Sequence, residues 1–358
     1  MPMLLPEILA LPTVKSVEEC ADYYKTVEPF LPQLYDLPRK LLDSYSNRDA
    51  FLQLYLETNP LISAGAFSIF LGFIFLVAAE VNRNFSQVDR AWSILPAVYN
   101  AHYALWARLA GEPHQRTDLV AVFTAIWSVR LTWNYWRKGG YQKGSEDYRW
   151  AILQQYVHPV LFSIFDLVFI AFTQSVLIFL FSSAPSYIIL FTSRLEPDIT
   201  TADLVFFAVE IALVASEFVS DGQQWKYQTA KHDYQKSAKL SRGFVQADLD
   251  RGFITSGLWA YSRHPNFAAE QLIWFVLYQW GCYASNTLYN WTAVGAGSLI
   301  LLFQASTMLT EAISGGKYPE YRDYQKAVGR FLPSSVRPYK PAQEPKIWPA
   351  ARHRGKRD

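Results

Sequence analysis

The chain has 358 residues, of which 51% are hydrophobic and 16% aromatic, and its formal net charge is +2. The basic residues are spread over many loops, which excludes the concentrated patch that a nucleic-acid-binding surface needs. The two cysteines, Cys20 and Cys282, cannot build a disulfide framework, and no Cys/His spacing resembles a zinc site. We therefore expect neither a nucleic-acid partner nor a bound metal.

The sequence divides into three parts of different polarity. Residues 1–58 combine short amphipathic pieces with prolines and form an N-terminal preface, residues 59–335 contain long apolar runs, and residues 336–358 form a basic tail. Because a bilayer core needs about 20 helical residues to cross, these runs predict an all-α membrane bundle. In chain order, the seven candidate transmembrane helices are 60–79, 91–110, 119–136, 157–181, 203–220, 267–284 and 291–310.

The distribution of basic residues predicts the orientation of this bundle. Seven spans place the two termini on opposite faces, and cytoplasmic loops carry the excess of Lys and Arg. The face that holds the C-terminus carries 24 of these residues, against 8 on the other face. We therefore expect a lumenal N-terminus and a cytosolic tail, in a membrane that we take to be the endoplasmic reticulum. In this topology the polar loops 89–92, 144–150, 221–225, 263–270 and 318–333 share the cytosolic face.

Several polar residues fall inside the predicted spans. Arg130 and Asn134 are four residues apart in the third span, where a charge at the helix centre costs about 2.5–3.5 kcal/mol on insertion scales. Glu210, Glu217, Asp221 and Gln224, at spacings of seven, four and three, follow one stripe of the fifth span. We expect these side chains to face the bundle interior, with Arg130, Asn134 and Glu217 at a substrate pocket.

The stretch 257–270, Gly-Leu-Trp-Ala-Tyr-Ser-Arg-His-Pro-Asn-Phe-Ala-Ala-Glu, concentrates polar chemistry before an apolar run. Pro265 suits the first position of a helix, and Arg263 and His264 would stand beside its unpaired N–H groups. This pattern predicts a phosphate or carboxylate seat, with Asn266 and Glu270 on one helical face. The alternative is a helix start at a membrane surface, where basic side chains extend toward lipid headgroups.

Four pieces of the sequence resemble the steroid 5-alpha-reductase-like superfamily of membrane proteins, in its broad, mostly uncharacterised bacterial and fungal branch. The resemblance covers roughly residues 60–335, and its most specific part is Arg263-His264-Pro265-Asn266 with the downstream Glu270. The four pieces are Val129-Arg130-Leu131 with 144–150 (Gly-Ser-Glu-Asp-Tyr-Arg-Trp), 221–224 (Asp-Gly-Gln-Gln), 258–266 (Leu-Trp-Ala-Tyr-Ser-Arg-His-Pro-Asn), and 317–324 (Lys-Tyr-Pro-Glu-Tyr-Arg-Asp-Tyr) with Phe331-Leu332-Pro333.

This resemblance implies an NADPH-dependent reductase of an activated carbon–carbon double bond in a lipid, such as a sterol or an enone. It assigns Glu270 and Tyr261 to catalysis. It assigns the cofactor to Asp221, Arg149, Arg263, His264, Asn266, Tyr321 and Tyr324.

Two alternatives stay open. The isoprenylcysteine carboxyl methyltransferases look similar at Arg-His-Pro and at the tail, where Glu311 and 318–324 would help to hold S-adenosylmethionine instead of NADPH. The second alternative is a lipid-binding protein without turnover. It is favoured by Phe267 and Ala269, which stand where the family pattern has Tyr and Gly and so remove a hydroxyl group and a close-approach position.

Overall fold

A computed structural model describes residues 10–343, so most of the predicted basic tail lies outside the described residues. Within that range the regular secondary structure is helical, with one isolated bridge between Ser262 and Gly329. The predicted all-α class is confirmed. The helices are α1 Tyr23–Thr26, α2 Gln33–Ser44, α3 Arg48–Glu57, α4 Pro60–Asn82, α5 Gln87–Trp92, α6 Leu95–Ala110, α7 Gln115–Arg137, α8 Tyr148–Tyr156, α9 Pro159–Phe165, α10 Gln174–Leu195, α11 Thr201–Ser237, α12 Gln246–Arg251, α13 Pro265–Ala284, α14 Ala293–Lys317 and α15 Tyr321–Ala327.

Helices occupy all seven positions at which we predicted spans. Among the described residues, three helical stretches are long and apolar enough to cross a membrane, namely Pro60–Asn82, Pro159–Leu195 and Ala293–Lys317. The length and composition of these helices are therefore those of an integral membrane protein. The other predicted spans are shorter or more polar.

Local sequence explains where α4 begins. Asn59 precedes Pro60, and its side-chain oxygen accepts hydrogen bonds from the N–H groups of Leu61 (2.9 Å) and Ile62 (3.4 Å). Pro60 occupies the first helical turn, where its missing N–H costs nothing. An Asn cap followed by proline thus fixes the helix start at the residue that the apolar pattern predicted.

Two predicted spans, the fourth and the fifth, are much longer in the structure than the apolar pattern indicated. The fourth continues from α9 through a π-helical segment, Asp166–Thr173, into α10 and ends at Leu195. The fifth, α11, continues to Ser237, beyond the predicted end at residue 220. Hydropathy marks only the apolar part of a helix, so a polar extension that stays helical escapes it.

The chain forms two compact units. The first unit comprises Met1–Ile211 and Trp274–Leu299, and the second comprises Ala212–Ile273 and Ile300–Asp358. The unit boundaries fall inside α11, α13 and α14.

A buried carboxylate connects three helices within the first unit. Asp203 accepts hydrogen bonds from Arg116 Nε (3.0 Å) on α7 and from Trp280 Nε1 (2.8 Å) on α13, and from the N–H and hydroxyl of Thr200. These donors satisfy the oxygens of the Asp203 carboxylate. Because Asp203 lies in the first turn of α11, its negative charge also complements the helix dipole. Asp203 therefore anchors this helix start in the first unit.

Candidate functional site

The segment before α13 is held against α11 inside the second unit. The Leu258 N–H donates to Gln223 Oε1 (2.9 Å), and Trp259 Nε1 donates to the Ser220 carbonyl (3.1 Å). Gly257 has φ +65°, and a Cβ at that position would lie 2.5 Å from the Gln223 side chain. Glycine is therefore required here both by backbone conformation and by close approach.

The same segment pairs with the chain that follows α15. The Arg263 N–H donates to the Gly329 carbonyl (2.9 Å), and the His264 N–H donates to the Arg330 carbonyl (3.0 Å). Ser262 bridges Gly329 in parallel orientation and its hydroxyl also donates to the Arg330 carbonyl (3.2 Å). These bonds fix the backbone just before α13, so the tail residues set the position of the helix start.

Glu311 on α14 is the centre of this arrangement, with a side chain 4% exposed. Arg263 binds both of its carboxylate oxygens, with Nε 2.6 Å from Oε1 and Nη2 3.1 Å from Oε2. His264 Nε2 lies 3.1 Å from Oε1, and Gln325 Nε2 donates to Oε2 at 3.1 Å. A buried carboxylate with this many donors is stabilised in its ionised form. We call Glu311, Arg263, His264 and Gln325 the Glu311 cluster.

The remaining donors of Arg263 also bind within the chain. Its Nη1 donates to the carbonyls of Gln325 (2.9 Å) and Val328. Four of the five guanidinium N–H groups are therefore matched by acceptors in the second unit. This arrangement differs from the predicted phosphate seat, because the anion beside Arg263 and His264 is a side chain of the protein itself.

Arg330 has a different environment, and the sequence analysis did not single it out. Its side chain is 34% exposed, and Nε lies 3.5 Å from Glu311 Oε2 while Nη1 lies 3.4 Å from Gln304 Oε1. Both contacts are long, so most of the hydrogen-bonding capacity of the guanidinium is left to other acceptors. Its position directly before the motif Phe331-Leu332-Pro333 was the one signal in the sequence that could have drawn attention to it. Arg330 is the cation at this cluster best able to meet an external anion.

Asp221 and Asn266, two residues that we predicted only to lie on the same face of the bundle, are in direct contact. Asn266 Nδ2 donates to Asp221 Oδ1 (3.1 Å), which joins the start of α13 to α11. The other amide atom, Asn266 Oδ1, is buried and has no hydrogen-bond partner among the described residues, and Gln224 Oε1 is in the same condition. Buried acceptors without donors are uncommon because each costs about 1–3 kcal/mol. A hydrogen-bond donor from outside the described chain, a water or a ligand, would satisfy both of them.

The two predicted catalytic residues have opposite exposure. Glu270, one turn after Asn266 on α13, is buried, whereas Tyr261 is 36% exposed. Glu217 on α11 is buried in the same unit. The structure thus gives a buried carboxyl group near the start of α13, while the Tyr261 ring lies at the surface of the second unit.

The tail tyrosines lie in an aromatic cluster. Tyr321 and Tyr324 are buried against Phe253, with ring centroids 5.0 and 5.4 Å away, and the Tyr324 hydroxyl donates to the Trp259 carbonyl. Burial raises the pKa of both hydroxyls above the usual tyrosine range, so they remain neutral donors. Tyr324 therefore has a packing role that its predicted cofactor contact did not anticipate.

Three predicted site residues belong to the first unit. Arg130 and Asn134 are buried on α7, as expected for polar groups in a span, and Arg137 donates to Asn134 Oδ1 at 2.9 and 2.7 Å. Arg149 binds the carboxylate of Asp147 at 2.9 and 2.8 Å at the start of α8. Their predicted roles toward substrate and cofactor stay predictions.

Phe267 and Ala269, which depart from the family pattern, are accommodated by packing. The Phe267 ring stacks on His264 with centroids 5.5 Å apart and meets Phe303 of α14 edge to face at 5.0 Å. Ala269 is buried. The phenyl ring thus packs on the face of the His264 ring, a contact that needs no hydroxyl group.

A model of the family of proteins of unknown function DUF1295 matches residues 74–328. The chain belongs to the DUF1295 family. It is 36% identical over 325 residues to an uncharacterized protein of Schizosaccharomyces pombe, a match that covers 90% of this chain and 93% of that relative. No solved structure matches it. The part that matches DUF1295 contains Asp221, Asn266, Glu270 and Glu311 and ends two residues before Arg330.

We expect Glu311→Gln to destabilise the second unit of this DUF1295 protein. The change removes the charge that offsets buried Arg263, and leaving one partner of a buried ion pair typically costs about 3–5 kcal/mol. Thermal unfolding in detergent should show a lower midpoint, and limited proteolysis should cleave more readily near residues 328–333. The matched control is Lys326→Gln, an exposed charge on α15 that should leave both readouts unchanged. Equal midpoints for the two variants would contradict the role of the cluster.

Proposed function

We propose that this protein is a membrane reductase that takes NADPH at the start of α13 and reduces an activated carbon–carbon double bond in a lipid substrate. The observation that carries the proposal is the Asn266 amide, which binds Asp221 through Nδ2 and holds a buried, unmatched acceptor at Oδ1. Support also comes from the four motifs that resemble steroid 5-alpha-reductase-like proteins. They include both residues of this pair.

The residues present fit the polar parts of a dinucleotide. Asn266 Oδ1 and Gln224 Oε1 are acceptors, and Asp221 contributes carboxylate oxygens on the same helix as Gln224. Ribose hydroxyls, an exocyclic amine and a carboxamide N–H₂ are the matching donors. These three residues would hold such donors, and the bound nicotinamide would supply the hydride.

In this proposal Arg330, and not Arg263, meets a cofactor phosphate. Arg263 is already bound to Glu311 and to two carbonyls, whereas Arg330 is partly exposed and makes only long contacts. Arg263 and His264 instead keep the backbone before α13 in place. The roles of Arg-His-Pro-Asn are thereby divided between positioning by the first two residues and ligand binding by the last.

Glu270 is the proposed acid. It lies one helical turn beyond Asn266 and is buried, so a carboxyl proton there is shielded from bulk water. An acid at this position would protonate or polarise the end of the double bond that does not receive hydride. Tyr261 was the other predicted catalytic residue, and its exposure makes Glu270 the stronger candidate.

We also propose the membrane setting that the sequence predicted. All seven helices cross the bilayer of the endoplasmic reticulum, with the N-terminus lumenal and the tail cytosolic. The uneven distribution of Lys and Arg between the two predicted faces supports this orientation. A cytosolic tail exposes Arg330 and the loop before α13 to the compartment that supplies NADPH.

The orientation is tested with sealed microsomes that contain the protein with a C-terminal tag. Protease added outside should remove the tag without detergent, because the tail faces the cytosol. An N-terminal tag on a matched protein serves as the control and should be cleaved only after detergent opens the vesicles. Protection of the C-terminal tag would contradict the orientation.

Cofactor identity is tested by thermal shift of the detergent-purified protein with NADPH, NADH or S-adenosylmethionine. Ligand binding to the folded state raises apparent stability, and we expect the shift with NADPH. Asn266→Ala removes a hydrogen-bonding group worth about 1 kcal/mol and should weaken NADPH binding about fivefold. Asn82→Ala, at the exposed end of α4, is the control. A shift with S-adenosylmethionine would favour the methyltransferase alternative, and no shift with any ligand would favour lipid binding without turnover.

Three further variants separate phosphate binding, chemistry and stability. Arg330→Ala should weaken NADPH binding about tenfold with little change in thermal stability, because it removes a charge-assisted contact. Glu270→Gln should leave binding nearly unchanged and lower the turnover of lipid enones, followed as NADPH oxidation. Arg263→Ala should lower stability instead. Normal turnover in Glu270→Gln would remove the acid role from Glu270.

A further inference from the structure

The first unit contains a cavity of 820 Å³ bordered by α2, α3, α4 and α6. Cavities of about 300–1,000 Å³ are the size that holds one small organic ligand. The walls are mainly aliphatic and aromatic. The apolar lining residues include Leu37, Leu41, Phe51, Phe67, Phe70 and Val98.

One end of the cavity is polar, and its hydrogen bonds form a chain. The Tyr55 hydroxyl lies 2.7 Å from His102 Nδ1, and His102 Nε2 lies 3.0 Å from the Pro60 carbonyl. Because a carbonyl only accepts, Nε2 carries the imidazole proton, and Nδ1 therefore accepts from Tyr55. This assignment leaves the lone pairs of the Tyr55 oxygen to accept a further hydrogen bond. The polar end thus offers an acceptor to a ligand hydroxyl.

The charge of the lining narrows the class of ligand. None of the described residues that line the cavity is Lys, Arg, Asp or Glu. Burying an anionic or cationic headgroup without a partner is strongly unfavourable, so the lining disfavours any ligand that places its charged group inside the cavity. An apolar body with one neutral hydroxyl group matches both the walls and the polar end.

The cavity is continuous with surface that a membrane would cover. Phe70 and Phe73 line it from α4, one of the candidate membrane spans, and both rings are more than half exposed. On the other side α2 contributes Leu34, Leu37 and Leu41, which recur at helical spacing and so present one face. Both helices therefore present apolar side chains to the cavity, and exposed rings of α4 border it.

We propose that this cavity binds one molecule of a lipid alcohol, a sterol or a long-chain alcohol, with its hydrocarbon body between α2 and α4 and its hydroxyl donating to the Tyr55 oxygen. The site belongs to the first unit. It stands independently of the reductase proposal, whose residues Asp221, Asn266 and Glu270 belong to the second unit.

The test uses the full-length protein in detergent with photoactivatable, tritiated forms of cholesterol and of a long-chain alcohol, each paired with its hydroxyl-free hydrocarbon. At least one of the alcohols should label peptides within residues 34–73 or 98–102, and its binding should exceed that of the matched hydrocarbon about fivefold. Tyr55→Phe should remove this difference. Ala66→Trp should abolish labelling because the indole fills the cavity that Ala66 lines.

The controls separate a specific site from general coating by lipid. Val77→Trp places the same indole on an exposed position of α4 that does not line the cavity and should leave labelling unchanged. Peptide mapping of the unmodified protein provides a readout that does not depend on the variants folding. Labelling spread evenly over the apolar helices, equal capture of alcohol and hydrocarbon, or no capture of either alcohol would overturn the proposal.

Discussion

The second unit depends on one buried charge. Glu311 collects Arg263 and His264 from the segment before α13 and Gln325 from α15, so three separate parts of the chain meet at two carboxylate oxygens. Removing these charges from water is costly, and the cost is offset only when nearly every donor and acceptor is satisfied. The carbonyls of Gln325 and Val328, which take the remaining Arg263 donors, meet that requirement. The geometry of the candidate site is a consequence of this electrostatic constraint.

The local parts of this arrangement were predictable from sequence. Pro60 and Pro265 begin helices where their rigid φ and missing N–H are tolerated, and the apolar runs are helical at all seven expected positions. These features follow from local rules or from a pattern that can be recognised in a single sequence. The motifs that contain Asp221 and Asn266 were predicted to share one face, but the contact between the two side chains was found only in the structure.

The non-local partner of Arg263 was not predictable in the same way. A basic residue beside a helix start indicates an anion, but Glu311 is 48 residues away and the sequence does not distinguish it from a ligand phosphate. The sequence analysis also did not identify Arg330 as a candidate site residue. Its partial exposure depends on how residues 329–330 pair with residues 262–264. Hydropathy likewise ended α11 at residue 220, although its polar continuation carries Gln223, which holds the turn before α13. Tertiary contacts decided each of these points.

The pairing of residues 262–264 with 329–330 also bears on how the protein is made. Arg263 and the Val328 carbonyl that it binds are 65 residues apart. At synthesis rates of about 5–20 residues per second, Val328 is added roughly 3–13 s after Arg263. Until residues 328–330 have been made, the N–H groups of Arg263 and His264 and part of the Arg263 guanidinium lack their final acceptors. The start of α13 therefore takes its final form only after these later residues have been synthesised, so chains that stop before them carry this helix with an unfinished beginning.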